Sequence, residues 1–253
     1  MNKKAEEIGL KNTHFVTPHG LDDIEHYTTA YELAVLTDYA LKNQTFSKIV
    51  NTKSTTISIN NVPRSIYNTN ELLGTLNGVD GVKTGFTNNA GRCLVTSCTR
   101  DNNQIITVVL GCDTKKQRTS DSMKLIEYAF KNYTRVNLEE KIKTEFEKWK
   151  QINSERIYIN KGEKTKVELE LKEIHKKQLP IKIGEENNIG IETNAIYEYD
   201  APVIKNTKIG NIVVKYNSKV VESVDIICSK NVEKKGIFSY FKELLSIIPN
   251  YEF

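Results

Sequence analysis

Gly81-Val82-Lys83-Thr84-Gly85-Phe86 is the stretch of this 253-residue chain from which the fold can be worked out. Two runs rich in β-branched and apolar residues follow it, at residues 92–99 and 104–112. We predict that both runs are strands, with Asn102-Asn103 as the two-residue turn of a hairpin. The stretch 81–86 would then end a neighbouring strand just before this hairpin.

The predicted turn would place Cys93 directly opposite Cys112. Two small buried thiols are the simpler interpretation, and a cross-strand disulfide is the alternative. The four cysteines form no Cys-x-x-Cys pair. Neither zinc binding nor thioredoxin-like chemistry is therefore indicated.

The rest of the first half combines helix and hairpin patterns. Thr29-Ala30-Tyr31-Glu32 fits a capping box, and apolar residues recur behind it at helical spacing, so we predict a helix over residues 29–42. Residues 54–67 alternate around Asn60-Asn61 and predict a hairpin. A second helical pattern covers roughly residues 113–132.

The pattern changes near residue 134. Short alternating runs, such as residues 157–159 and 212–214, are separated by turn residues in the spacing of a small all-β domain. The final segment returns to helical spacing behind Lys234-Lys235. Its apolar residues fall on one face and predict an amphipathic helix; they are Ile237, Phe238, Phe241, Leu244, Leu245 and Ile248.

The composition is that of a folded globular protein, with 38% hydrophobic and 27% charged residues. The formal charge of +4 is small for this length and does not suggest a nucleic-acid binder. No apolar run reaches the roughly 18–20 residues of a membrane span. The first residues have the basic flank of a signal peptide without its apolar stretch, so the chain as written carries no export signal.

A cluster of imidazole and carboxylate side chains near the start of the chain raises the question of a metal site. Its members are His14, His19, Asp22, Asp23 and His26. Their spacing matches no familiar metal motif, so we predict neither a metal nor another cofactor.

Lys83-Thr84-Gly85 is also the third sequence signature of the penicillin-interacting serine enzymes. Three further blocks stand around it in matching order: residues 9–15, residues 19–22 and the Asn-x-Asn-x-Leu-Leu block at residues 68–73. With these blocks the chain resembles the D-alanyl-D-alanine carboxypeptidases, the low-molecular-mass penicillin-binding proteins of serine peptidase family S11. The resemblance extends over nearly the whole chain.

The resemblance implies an α+β fold in three parts. Residues 1–133 would be the C-terminal part of a serine β-lactamase/transpeptidase-like catalytic domain that carries Lys-Thr-Gly. Residues 134–230 would be the β-rich C-terminal domain, and residues 231–253 an amphipathic helix lying on the membrane surface. The protein would then be extracytoplasmic and peripheral on the outer face of the cell membrane.

The same resemblance implies a role for each residue of the Lys-Thr-Gly strand. Lys83 would place a cation beside the nucleophile, and the hydroxyl of Thr84 would bind the substrate carboxylate. Gly85 would let the substrate backbone approach, and the N–H of Phe86 would be one oxyanion donor. Thr69 departs from relatives that carry an arginine between the two asparagines.

The implied reaction is removal of the terminal D-Ala from peptidoglycan stem peptides through an acyl-enzyme, and β-lactams would bind the full-length protein. The nucleophile of the family lies in a Ser-x-x-Lys motif followed by Ser-x-Asn, both before Lys-Thr-Gly. Here Ser-x-x-Lys occurs only at residues 239–242, and Ser-x-Asn only at residues 58–60 and 229–231. We interpret these as chance matches, expect the true motifs upstream of Met1, and predict that this N-terminally truncated chain is inactive alone.

Two alternatives remain open. One is a non-catalytic, membrane-apposed protein that binds or scaffolds the cell wall through its β-rich part and terminal helix. The other is a β-lactamase, which would share Lys-Thr-Gly but would leave the β-rich part and the helix unexplained.

Overall fold

The computed structural model describes the backbone of residues 1–247 and their side chains except at positions 242–244, 246 and 247. The chain forms two compact units, the first covering Met1–Tyr133 and the second beginning at Thr134. Helices and strands occur in both units, as the predicted α+β class requires.

The first unit contains four helices and five strands. In chain order they are α1 (Asn2–Glu7), α2 (Ala30–Leu41), α3 (Gln44–Val50), β1 (Ser54–Ile59), β2 (Val62–Tyr67), β3 (Val79–Thr87), β4 (Gly91–Arg100), β5 (Asn103–Cys112) and α4 (Lys115–Asn132). β1 and β2 form a separate antiparallel hairpin whose turn residues, Asn60 and Asn61, have φ angles of 52° and 64°. The predicted hairpin is therefore confirmed. Its turn forms at these residues because asparagine tolerates the left-handed conformation that such a turn needs.

An antiparallel sheet of order β3-β4-β5 is the centre of the first unit. Helix α4 covers one face of it, where the buried Ser122 hydroxyl lies 2.9 Å from Thr96 Oγ1 and 3.2 Å from Thr107 Oγ1. Leu94 from the sheet and Ile126 from α4 are fully buried in the adjoining apolar cluster. The amphipathic α4 is therefore held to the sheet by both apolar packing and buried hydroxyl contacts.

The register of the β4–β5 hairpin differs from the prediction. Its turn is Asp101-Asn102, with φ angles of 48° and 60°, and not Asn102-Asn103. A β-bulge between Arg92 and Leu94 shifts the register again, so Cys112 pairs with Arg92, while Cys93 pairs with Gly85 of β3. The predicted Cys93–Cys112 pairing was therefore wrong. All four cysteines are free thiols. Asp-Asn and Asn-Asn suit the same turn, and the sequence could not decide between them.

Helix α2 begins where predicted, but its capping differs. The Thr29 side chain accepts a hydrogen bond from the Glu32 N–H at 3.2 Å, which is half of a capping box. The buried Glu32 carboxylate instead accepts from the backbone amides of Lys11 and Asn12 at 2.9 Å and from the Thr13 hydroxyl at 2.5 Å. Burial alone would raise the pKa of Glu32, but these hydrogen bonds outweigh it and lower the pKa.

Strand β6 (Tyr133–Asn137) starts at the last residue of the first unit, and helix α5 (Leu138–Asn153) follows it in the second unit. Seven strands and a terminal helix follow: β7 (Tyr158–Asn160), β8 (Leu169–Leu171), β9 (Gln178–Lys182), β10 (Ile189–Ala195), β11 (Glu198–Asp200), β12 (Lys208–Tyr216), β13 (Lys219–Cys228) and α6 (Ile237–Ile247). The main sheet has the order β10-β12-β13-β8 and is antiparallel.

Helix α5 corrects the prediction of an all-β segment after residue 134. Leu138 and Ile142 are completely buried and Phe146 nearly so, and all three join the core of the second unit. Their four-residue spacing places them on one helical face. The Asn137 side chain caps the helix by accepting from the Glu140 N–H at 3.1 Å.

Helix α6 exposes its first apolar residues. Ile237, Phe238 and Phe241 are 87%, 90% and 61% exposed. The part of the predicted helix at residues 248–253 lies outside the described residues. No helix among the described residues is long and apolar enough to cross a bilayer.

Candidate active site

Strand β3 carries Lys83 to Phe86 at an edge of the three-stranded sheet. Consecutive side chains of a strand point to opposite faces, so Lys83 and Thr84 leave β3 in opposite directions. Thr84 pairs with the buried Leu94 and shares the face covered by α4. The Lys83 ammonium donates a hydrogen bond to the Thr84 carbonyl at 2.5 Å.

The Asn-x-Asn-x-Leu-Leu block is the loop that leads from the β1–β2 hairpin toward β3. Asn68 Nδ2 donates to the carbonyls of Val50 and Thr52, at 3.2 and 3.1 Å. The buried Asn70 donates from Nδ2 to the Gly81 carbonyl at 2.8 Å. The two asparagines therefore anchor the loop to the end of α3 on one side and to β3 on the other.

Thr69 lies between these two anchors and contacts the Lys-Thr-Gly strand. Its Oγ1 is 2.7 Å from Thr84 Oγ1, a hydrogen bond between two hydroxyls in which either atom can be the donor. Thr69 thus contacts the Lys-Thr-Gly strand through an uncharged side chain.

Arg118, which the sequence did not single out, is a further site residue. It lies in α4 and is only 4% exposed, yet among the described residues its Nε has no hydrogen-bond partner. Its Nη2 is 3.8 Å from Glu71 Oε2, and the same Glu71 oxygen accepts from the Thr119 hydroxyl at 2.8 Å. A buried guanidinium with an unused donor is well suited to hold an anion.

Thr84 and Arg118 open onto one cavity of about 580 Å³. Its lining consists of His19, Gly20, Thr69, Lys83, Thr84, Gly85, Phe86, Thr87, Ala90, Arg92, Cys93, Lys115 and Arg118. Four of these residues are lysine or arginine, and among the described lining residues none is Asp or Glu. The Arg92 guanidinium lies 4.3 Å from the centre of the Phe86 ring. The charge of the cavity therefore favours an anionic ligand.

An apolar cavity of about 460 Å³ adjoins the same strand. It lies between α2 and the β3–β4 face, and its apolar lining includes Leu33, Leu36, Ala40, Phe46, Val82, Leu94, Val95 and Leu110. The apolar surface beside Lys83 and Gly85 is therefore accessible to solvent through this cavity.

His19 lines the cationic cavity, whereas the serines of the chance motif matches lie elsewhere. Ser58 is in the exposed hairpin strand β1, and Ser239 is in α6 of the second unit. The His14 ring binds the Glu25 carbonyl through Nδ1 at 2.6 Å, and His26 Nδ1 accepts from the Val16 N–H at 3.4 Å. Within the described residues no three His, Cys, Asp or Glu side chains are grouped so as to hold a metal.

Comparisons with known families place both parts of the chain. Residues 1–114 match the family model described as D-alanyl-D-alanine carboxypeptidase, peptidase S11, and residues 143–234 match the C-terminal domain of penicillin-binding protein 5. The chain belongs to the low-molecular-mass penicillin-binding proteins of family S11. In this family member, Lys83-Thr84-Gly85 and the loop at residues 68–73 both lie within the first matched segment.

Individual relatives support the assignment along the whole chain. The D-alanyl-D-alanine carboxypeptidase DacF of Bacillus subtilis is 31% identical over 250 residues, which are 97% of this chain and 61% of that protein. DacA of Haemophilus influenzae is 36% identical over 247 residues, 94% of this chain and 58% of that protein. The S11 chain thus spans about three fifths of the length of these curated relatives.

A solved structure gives the same result for the fold. Penicillin-binding protein 5 of Haemophilus influenzae superposes with a TM-score of 0.66 at 27% identity. The superposition covers 92% of this S11 chain and 64% of that protein.

Proposed function

We propose that these 253 residues provide the carboxylate-binding and strand-pairing side of a serine-type D-Ala-D-Ala carboxypeptidase site. The enzyme would remove the terminal D-Ala of peptidoglycan stem peptides through an acyl-enzyme. The observation that carries the proposal is Arg118, a buried guanidinium with an unused donor, in the same acid-free cavity as Thr84 and Lys83. The relatives of this chain that are named D-alanyl-D-alanine carboxypeptidases also support the proposal.

Each lining group has a task in this proposal. The substrate's terminal carboxylate binds Arg118 and the Thr84 hydroxyl, because charge-assisted hydrogen bonds are the strongest available there. The peptide runs along the edge of β3 as an added strand, and Gly85 leaves room for it. The N–H of Phe86 faces the developing oxyanion, and Lys83 stabilises negative charge beside the nucleophile.

Binding of a peptide carboxylate tests this proposal directly. A fluorescein-labelled tripeptide ending in D-Ala-D-Ala should bind the 253-residue chain, and its C-terminal amide should bind far more weakly. Arg118→Gln should weaken binding of the acid about tenfold to a hundredfold, the usual range for a hydrogen bond to a charged group. Lys124→Gln is the matched control, since this exposed cation of α4 pairs with Asp121 and does not line the cavity. Equal binding of acid and amide by the unchanged chain would contradict the proposal. Urea unfolding should show that both variants are folded, so that a loss of binding reports on the cavity.

We also propose that this chain alone does not turn over substrate. Acyl transfer needs an activated serine and its base, and without them little remains beyond binding. Ser239 begins the single Ser-x-x-Lys sequence of the chain, but it lies in α6 after Lys-Thr-Gly. Incubation with a fluorescent penicillin should leave this chain without a covalent label. A labelled band at 28.9 kDa would contradict this prediction.

The proposed location is the outer face of the cell membrane, with α6 as a peripheral contact. Ile237, Phe238 and Phe241 are exposed, and Lys234-Lys235 precede them, a combination typical of in-plane amphipathic helices. Removal of residues 236–253 should abolish sedimentation with anionic vesicles, and a Phe238→Ser/Phe241→Ser double variant should weaken it. Sedimentation that both changes leave intact would refute the membrane contact.

A further inference from the structure

We propose that Thr69 is a positioning residue that sets the direction of the Thr84 hydroxyl proton when a carboxylate binds. This inference rests on the proposed function, because it concerns the same carboxylate site. It assigns a task to the uncharged side chain that stands between the two asparagine anchors of the loop.

The hydrogen-bond chemistry leaves one arrangement for the bound state. Thr69 Oγ1 and Thr84 Oγ1 are 2.7 Å apart, and each hydroxyl has a single hydrogen to donate. A carboxylate only accepts, so Thr84 must point its hydrogen at the ligand. Thr69 must then donate to Thr84, which produces a chain from Thr69 through Thr84 to the carboxylate. Such chains strengthen each of their hydrogen bonds by polarisation.

The loop geometry makes this arrangement available without rearrangement. Asn68 is held by two carbonyls near the end of α3, and Asn70 is held by the Gly81 carbonyl of β3. Asn68 Oδ1 also accepts from the Asn70 N–H at 2.9 Å, which closes the loop around Thr69. The Thr69 hydroxyl is thus presented to Thr84 by a loop anchored on both sides.

The absence of charge on Thr69 distinguishes its contribution from that of the cavity cations. Lysine and arginine attract a carboxylate through an interaction that salt screens, whereas a contact between neutral hydroxyls is insensitive to ionic strength. Loss of the Thr69 hydroxyl should therefore weaken binding by the same factor at low and at high salt. Loss of the Arg118 charge should instead make the affinity for the carboxylate less dependent on salt.

Fluorescence anisotropy with the labelled D-Ala-D-Ala tripeptide tests this in the full chain. Thr69→Val keeps the shape and removes the hydroxyl, and we expect affinity to fall about threefold to tenfold. Thr69→Ser restores the hydroxyl and should bind within about twofold of the unchanged chain. Thr56→Val is a matched control, because Thr56 makes a similar hydroxyl pair with Ser65 in the exposed hairpin, 3.5 Å apart.

The outcomes separate this inference from the proposed function. If the unchanged chain binds the acid and Thr69→Val binds it equally well, the Thr69 inference is wrong while the proposed function stands. The inference also fails if Thr69→Ser is as weak as Thr69→Val, since the methyl group and not the hydroxyl would then matter. If the unchanged chain does not prefer the acid over its amide, the proposed function fails and this inference falls with it.

Discussion

We expect Gly85→Ala to leave the first unit folded and to weaken binding of the D-Ala-D-Ala tripeptide at least about fivefold. An added Cβ at Gly85 would lie 3.7 Å from Cys93 Cβ, an ordinary van der Waals contact. The backbone at this position does not require glycine, because its φ lies outside the left-handed region. Since glycine inside a strand is less stable than alanine by about 0.5–1 kcal/mol, the variant should be at least as stable as the unchanged chain.

The same methyl group acts differently on a ligand. Gly85 lines the cationic cavity beside Cys93, so the added carbon would occupy space that an approaching peptide backbone needs. Overpacking of this kind costs about 1–3 kcal/mol, which corresponds to roughly fivefold to 150-fold in affinity. We therefore expect unchanged or higher stability together with a large loss of binding.

Urea unfolding and tripeptide anisotropy measure the two effects on the same samples. Gly78→Ala is the contrasting variant, since Gly78 has φ +83° and its Cβ would lie 2.5 Å from the Thr99 carbonyl oxygen. That variant should lose stability by about 1–3 kcal/mol or more. If Gly85→Ala and Gly78→Ala lose the same free energy of unfolding in urea, the steric reasoning is wrong. Gly85→Ala that binds like the unchanged chain would refute the role of Gly85 in admitting the ligand.

Three further predictions concern the scaffold of the first unit. Asn70→Ala should cost about 2–4 kcal/mol in urea unfolding, because it leaves a buried carbonyl and a buried amide without partners; a loss below 1 kcal/mol would contradict this. Ile126→Ala should lower the free energy of unfolding by about 2–5 kcal/mol, because Ile126 is fully buried. Leu125→Ala on the same helix should lower it by under about 1 kcal/mol, because Leu125 is 44% exposed. Equal losses would show that α4 packs differently. The hydrogen bond from Arg100 lowers the pKa of Glu127 below its ordinary value of 4.5. The ionised Glu127 therefore stabilises the fold fully above pH 4.5, and this stabilisation is lost as the pH falls through the lowered pKa. The stability difference from Glu127→Gln, measured by urea unfolding between pH 3 and 7, should shrink toward acid, and a difference that is constant with pH would contradict the pairing.

Local elements were predictable where a short stretch of sequence carries the whole signal. Helix α2 and the hairpin around Asn60-Asn61 were placed correctly, because cap and turn residues act over only a few positions. Helix α5 was missed although Leu138, Ile142 and Phe146 recur every four residues, since the many short strands that follow dominated the interpretation of that segment. The one-residue error in the β4–β5 turn arose because Asp101, Asn102 and Asn103 all suit a left-handed turn position.

The sequence by itself determined the family and the strand that carries Lys83-Thr84-Gly85. It also determined the likeness of residues 1–114 and 143–234 to known domains. Sequence motifs are contiguous, so they can be recognised without the folded structure. Only the tertiary structure brought Arg118 into the cavity of Thr84, because α4 must first pack on the sheet. It also decided that Thr69 contacts Thr84. A contact between residues 15 positions apart, and a cavity shared by residues 34 positions apart, depend on how elements pack. No local pattern of residue types encodes that packing.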